Sequence, residues 1–177
     1  MEFKGSKTEK NLELAFAGEA QAVLKYRYYA SKAKKEGYEQ VAAFFNEFAD
    51  NEFEHAKIWF KLLGGNDTKT LENLKGSAYG EHYEGYDLYV EFAKVAREEG
   101  FEEIAKLFEG VGEIEKNHEK IYNGLAERVE NGTVFVENGK VAWICRNCGH
   151  IHYGNEAPKQ CPVCSHPQAF FQRKDEC

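Results

Sequence analysis

Glu52 and His55 stand three residues apart, and the same pairing returns 63 residues further on as Glu115 and His118. Residues three apart share a helix face, so each pair can hold one metal ion from one side. Around the first pair the apolar residues fall at Val41, Phe45, Phe48, Trp59 and Leu62, and steps of four and three carry that series through Glu52 and His55. Around the second, Ile104, Phe108, Val111, Tyr122, Leu125 and Val129 form the same kind of series, with Glu115 and His118 inside it. Both pairs are therefore expected on the buried stripe of a helix. Further acids join them: Glu19 on the preceding segment, and Glu81 with Glu84 on the segment between the pairs. Five converging carboxylates bring about −5 of charge into a core, which would protonate or push the helices apart if nothing balanced it. Two divalent cations supply that balance, and two neutral imidazoles add nitrogen ligands without adding negative charge. Glu from each of two helices and Glu-x-x-His from each of two others make a ligand set for a pair of iron or manganese ions. Oxygen donors with two imidazoles suit those metals better than zinc, without excluding it.

A second metal site is written in cysteine. Cys145-x-x-Cys148 and Cys161-x-x-Cys164 are separated by twelve residues, the spacing of a tetrahedral four-thiolate site for zinc or iron. Alone it would favour a zinc ribbon; beside a redox-capable metal pair, a one-electron iron site is the better assignment. The fifth cysteine, Cys177, is expected to be an exposed thiol without function.

Composition sets the limits. The 177 residues, 42% apolar and 14% aromatic, suffice for one core and a small module. No apolar run approaches the roughly 18 residues of a membrane span, and Met1-Glu2-Phe3-Lys4 has no signal-peptide core, so no membrane partner and a cytoplasmic residence are expected. A net charge of −7 without a basic face argues against nucleic acid. Residues 140–177 carry five Lys or Arg against three acids, leaving −9 on the remainder, an asymmetry that would draw two modules together.

The elements that must position these residues are mostly helices. Ser6 to Glu9 has capping-box spacing and opens a first helix that runs to Gly37; a second ends at Gly64-Gly65. Residues 64–73 read as the main connection, a third helix is established by Leu74 to Ala78 and stops at Gly100, and a fourth runs from about Glu102 to Asn131. Tyr26 to Gly37 matches Tyr89 to Gly100 at an offset of 63, whereas Gly18-Glu19 matches Gly80-Glu81 at 62. Two copies of a helical hairpin are expected, with one extra residue between Glu81 and Tyr89 forming a π-bulge. A crossover must join the hairpins, and about ten residues reach roughly 33 Å, tight for the length of a bundle; exchange of hairpins between two chains would relieve it. After Gly132 the pattern turns to strand, with Thr133–Val136 and Val141–Ile144 flanking Asn138-Gly139 as a hairpin signal, and Trp143 with Phe170 or Phe171 as the small core.

The whole chain resembles the rubrerythrins, on Ala17-Gly18-Glu19, Glu52-x-x-His55, Glu81-x-x-Glu84, Glu115-x-x-His118 and both cysteine pairs. The resemblance implies a mainly α fold, a ferritin-like four-helix bundle over residues 1–139 and a small β rubredoxin-like iron module over 140–177. It implies a di-iron centre bridged by Glu52 and Glu115, one iron in the four-cysteine site, and an exchange between His55 and Glu84 as ligands with redox state. The implied activity is peroxidase: hydrogen peroxide reduced to water in oxidative stress defence, with electrons from an NAD(P)H-linked reductase or a rubredoxin. A homodimer is implied too, with helix exchange left open. Tyr26 and Tyr89, at matching places in the repeat, are either proton donors to the site or core aromatics. Ser165 departs from the glycine usual after the second cysteine pair of rubredoxins and is expected to strain the backbone. Two rival functions remain: an iron-oxidising or storage protein of the ferritin-like class, and a non-enzymatic zinc-ribbon interaction protein.

Overall fold

The computed structural model describes residues 2–65 and 68–174. The chain divides into two compact units, residues 1–68 and 69–177. Cys177 lies outside the described residues. The architecture is mainly α, with four long helices in two hairpins and a small C-terminal sheet. No helix among the described residues is long and apolar enough to cross a membrane.

The first unit is the hairpin of α1 (Lys7–Lys35) and α2 (Glu39–Leu62). Ser6 caps α1, its hydroxyl accepting the Glu9 N–H at 3.1 Å. Gly37 ends the helix at φ +85°, and the Tyr38 N–H returns to the Ala33 carbonyl at 2.9 Å. Ala30, Ala33 and Ala42 are buried together under Phe45, their small side chains letting the helices close at the turn.

The second unit repeats that hairpin. Its first arm is α3 (Thr70–Tyr83), a π-helical segment Glu84–Leu88 and α4 (Tyr89–Glu98); its second is α5 (Glu102–Glu130). Ala93, Ala96 and Ala105 pack under Phe108, each 63 residues beyond its counterpart, and Gly100 turns the chain at φ +86°. The π segment sits where the offset changes from 62 to 63, as expected: one inserted residue is absorbed by widening a single turn. The third helix starts at Thr70, four residues before the apolar pattern begins. The Glu72 carboxylate accepts the Lys69 N–H at 2.8 Å, so a polar first turn is capped without apolar residues.

Beyond α5 lies a three-stranded antiparallel sheet in the order β2-β1-β3, from β1 (Val136–Cys145), β2 (Ile151–Glu156) and β3 (Phe171–Arg173). The Asn138-Gly139 hairpin does not form. Both residues lie within β1, which bulges so that Val136 pairs with Glu156 and Val141 with Gly154. The Ala157 N–H donates to the Phe135 carbonyl at 2.9 Å, committing the preceding segment to the end of β2 instead. Trp143, Cys145, Ala157, Cys161 and Phe171 form the module's core, and Trp143 Nε1 donates to the Gly154 carbonyl at 3.0 Å. Phe171 takes the core position, while Phe170 stays partly exposed against His166.

Candidate metal centres

Each hairpin assembles one three-ligand cluster. In the first unit His55 Nδ1 lies 2.7 Å from Glu52 Oε2 and 4.0 Å from Glu19 Oε1. In the second, His118 Nδ1 lies 2.7 Å from Glu115 Oε2 and 4.0 Å from Glu81 Oε2. Within each trio the ligand atoms all lie within 4.8 Å of one another, a spread that one cation can draw together. The two clusters match to a tenth of an ångström because the repeat places the Glu and Glu-x-x-His on facing helices of each hairpin.

The clusters are less covered than the stripe pattern implies. The His55 and His118 side chains are 51% and 46% exposed, although Glu115 beside the latter is only 14% exposed. Val41, Phe48 and Leu62 of the first stripe and Ile104, Leu125 and Val129 of the second are exposed as well. A stripe position marks the face a helix offers to a partner; a hairpin alone covers only part of that face.

Glu84 opens the π segment, half-buried, outside the ligand trio but close enough for its charge to act on two neighbours. Burial, a hydrogen bond with Glu115 and the charges of Glu115 and Glu84 raise Glu81 above the ordinary carboxylate range, against the lowering effect of His118. Tyr89 is half-buried; burial, then the charges of Glu84, Glu115 and Glu81, hold its hydroxyl protonated beyond the usual phenol range. Tyr89 thus faces the second carboxylate cluster while its ring stacks on Phe108 at 6.0 Å. Tyr26, its counterpart, packs against Phe45 at 6.1 Å.

Sequence patterns did not single out Gly85. A Cβ built there would lie 3.0 Å from the Gly112 carbonyl oxygen and 3.2 Å from the Lys116 nitrogen, both backbone atoms of α5. Only a glycine lets the π segment approach so closely. The available signal was its place beside Glu84 inside the inserted turn. Glu137 escaped notice too: its Oε1 meets Arg128 of α5 at 3.2 Å and Arg173 of β3 at 2.8 Å, fastening the sheet to the end of the helix.

The four cysteines converge. Cys145 and Cys164 Sγ lie 3.7 Å apart, and Cys148 and Cys161 Sγ 3.6 Å. A tetrahedron with metal–sulfur bonds of about 2.3 Å has edges of about 3.8 Å, so the four thiolates fit one ion. Two matching turns present them: Gly149 donates to the Cys145 carbonyl at 2.8 Å, and Ser165 to that of Cys161 at 3.0 Å. Gly149 has φ +77° and Ser165 φ +61°, so the expected strain at Ser165 is present. The His166 N–H brings Cys164 down to about 5, readying one thiolate. Cys148 accepts the His150 N–H, yet thiol contacts with Cys164 and burial push it up to about 12. A cation would displace such a proton.

Comparison with known proteins settles the family. Residues 10–126 and, in a second overlapping match, 72–141 match rubrerythrin, and residues 143–172 match the rubrerythrin rubredoxin-like domain. The chain belongs to the rubrerythrin family. It is 49% identical to the rubrerythrin of Porphyromonas gingivalis, over 96% of this chain and 90% of that one. It is 45% identical to the rubrerythrin of Nitratidesulfovibrio vulgaris, over 96% and 95%. A solved nigerythrin in a mixed-valence state aligns over 97% of this chain and 88% of its own at 28% identity, with a TM-score of 0.36. The Glu and His clusters are the di-iron ligand set of rubrerythrins and the cysteines their rubredoxin-like site, which makes this chain an oxidoreductase of that family.

Proposed function

We propose that the protein is a non-haem di-iron peroxidase that reduces hydrogen peroxide to water, with residues 1–139 as its di-iron domain and 140–177 as its electron-relay module. The observation that carries this reading is the presence, in one chain, of two matched Glu/Glu-x-x-His clusters, a further carboxylate at Glu84 and four converging thiols. A storage protein has no use for the thiolate site, and a zinc-ribbon binding module none for Glu84.

Glu19, Glu52 and His55 would hold one iron and Glu81, Glu115 and His118 the other, and Glu52 and Glu115 are proposed as the shared carboxylates. The iron pair would supply Lewis acidity and the two electrons that cleaving one O–O bond requires. His55 and Glu84 are proposed to exchange as ligands: the carboxylate answers the higher charge of the oxidised state and the neutral imidazole the lower. Tyr89 keeps its hydroxyl proton and can donate it to a site carboxylate. Two protons and two electrons turn one peroxide into two waters. Cys145, Cys148, Cys161 and Cys164 would hold the one-electron iron through which electrons would enter singly, from an NAD(P)H-linked reductase or a rubredoxin. The active form is a cytoplasmic homodimer.

The test is peroxide turnover by iron-loaded protein supplied with a reductase and NADH. Catalytic consumption is expected, and Cys161→Ser should abolish reductase-fed turnover while leaving one round of peroxide reduction by chemically pre-reduced protein. Accumulation of many irons per chain without peroxide turnover would favour storage and overturn the proposal.

A further inference from the structure

We infer that His82 and Glu119 form a positioning pair that holds α3 and α5 at the spacing their iron ligands need, a device built into the second hairpin and missing from the first. This rests on the reading of Glu81, Glu115 and His118 as an iron site.

The pair consists of the immediate neighbours of two ligands. His82 follows Glu81 on α3, and Glu119 follows His118 on α5. His82 Nδ1 lies 3.1 Å from Glu119 Oε1, so the two helices meet twice at this level. In one contact α3 supplies the acid and α5 the imidazole, Glu81 to His118 at 4.0 Å; in the other the roles are reversed. Successive residues of a helix point about 100° apart, so the two contacts lie on different faces. The ligand trio converges on one face, and His82 with Glu119 ties the helices along its flank. Asn123 Nδ2 donates to Glu119 Oε1 at 3.5 Å and steadies the carboxylate from its own helix.

The tie continues into the π segment. The His82 ring stacks on Tyr86 at 4.6 Å, Lys116 Nζ stands 4.8 Å from the centre of the Tyr86 ring, and Lys116 pairs with Glu113 at 2.6 Å. Tyr86 adjoins Gly85, whose close approach to the Gly112 carbonyl and the Lys116 nitrogen seats the same turn. The chain is thus anchored two residues before Glu84 and at both residues after it. Between such anchors Glu84 changes its place by turning its side chain while the backbone stays still.

The repeat shows why one hairpin needs this and the other does not. At an offset of 62, His82 matches Ala20 and Glu84 matches Ala22; at 63, Glu119 matches Ala56 and Lys116 matches Phe53. The first hairpin has two carboxylates in its cluster and methyl groups on the flank. The second has the same two and Glu84 beside them, and like charges so close push α3 and α5 apart before a metal arrives. His82 and Glu119 oppose that parting where it begins. An exposed ion pair ordinarily adds little to stability, and His82 is 51% exposed, so its effect belongs to the metal site more than to the fold.

The test uses the full-length protein loaded with Mössbauer-active iron, the iron–thiolate absorbance counting folded chains. His82→Ala removes the pair. Lys75→Ala is the control, because it breaks another bridge between α3 and α5, Lys75 to Glu130 at 2.8 Å, toward the end of α5. His82→Ala should speed the release of one of the two carboxylate-bound irons to a chelator about tenfold and shift the ferrous Mössbauer signal of that iron. Lys75→Ala should change neither. Glu119→Ala should match His82→Ala, and the double variant should be no worse than either, since the two side chains act as one unit. Glu119→Gln keeps an acceptor beside His82 and should release iron as the wild type does. Release and spectra of His82→Ala equal to those of Lys75→Ala would overturn the inference, and so would equal weakening of both irons. Failure of Glu115→Ala to lower the iron content would refute the iron site itself, a distinguishable result.

Discussion

Replacing Gly85 by alanine puts one methyl group between the π segment and α5. That methyl would sit 2.9 Å from Lys116 Cγ, 3.0 Å from the Gly112 carbonyl oxygen and 3.2 Å from the Lys116 nitrogen. The lysine side chain can swing away, at the cost of its 2.6 Å ion pair with Glu113 and its place over the Tyr86 ring. The backbone atoms cannot, so the segments must part by a few tenths of an ångström. Overpacking of this kind costs about 2 kcal/mol, a fall in melting temperature of roughly 4–8 °C for a chain of this size. Gly76→Ala is the control: the site is exposed and mid-helix, a Cβ there meets nothing within 4 Å, and alanine should stabilise by up to about 1 kcal/mol. The two substitutions are chemically identical and are expected to shift thermal unfolding, followed by circular dichroism, in opposite directions. Because Glu84 adjoins Gly85, the iron-loaded Gly85→Ala protein should lose more stability than the metal-free one. A Gly85→Ala protein as stable as wild type, with unchanged iron binding, would refute the close approach as the device that seats Glu84.

Three further outcomes are expected. Ser165→Gly should relieve the φ of +61° and stabilise the cysteine module by about 1 kcal/mol, measured as slower metal loss to a chelator. Glu137→Gln should remove the carboxylate that Arg128 and Arg173 share at the join between α5 and the sheet, costing about 1 kcal/mol and speeding proteolysis between residues 131 and 135. The raised Glu81 pKa has a definite sign: the metal-free fold gains from Glu81 protonation below the unfolded carboxyl value and loses that gain as pH rises through the folded one. Acid titration of ferrous binding should show proton competition beginning above the ordinary glutamate range, and Glu81→Gln should remove that early onset.

Much of the fold and the clustering of the candidate ligands were legible in the sequence, for reasons that can be located. The repeat is readable because alanines, glycines and ligands recur at one offset, and the slip from 62 to 63 marks the place of the π segment. Paired Glu-x-x-His motifs and cysteine spacing are local signals set by helix period and knuckle geometry, and each brings its ligands together as expected. What escaped was decided by non-local partners. Asn138-Gly139 has the local chemistry of a hairpin turn, yet pairing with β2 and the Phe135–Ala157 hydrogen bond keep it within a bulged strand. Thr70 starts a helix through a backbone cap rather than through apolar periodicity. Gly85 and Gly112 meet across two helices, a contact that no single-helix pattern contains. Tyr26 and Tyr89 occupy equivalent places, but only Tyr89 has the additional carboxylate of Glu84 beside it.

The central claim, an electron-fed di-iron peroxidase, is tested most directly by metal content together with the visible spectrum, before and after anaerobic reduction and then peroxide addition. The expected result is about three irons per chain and a red iron–thiolate band that bleaches on reduction and returns with peroxide. Zinc in the cysteine site, no colour and no response to peroxide would contradict it.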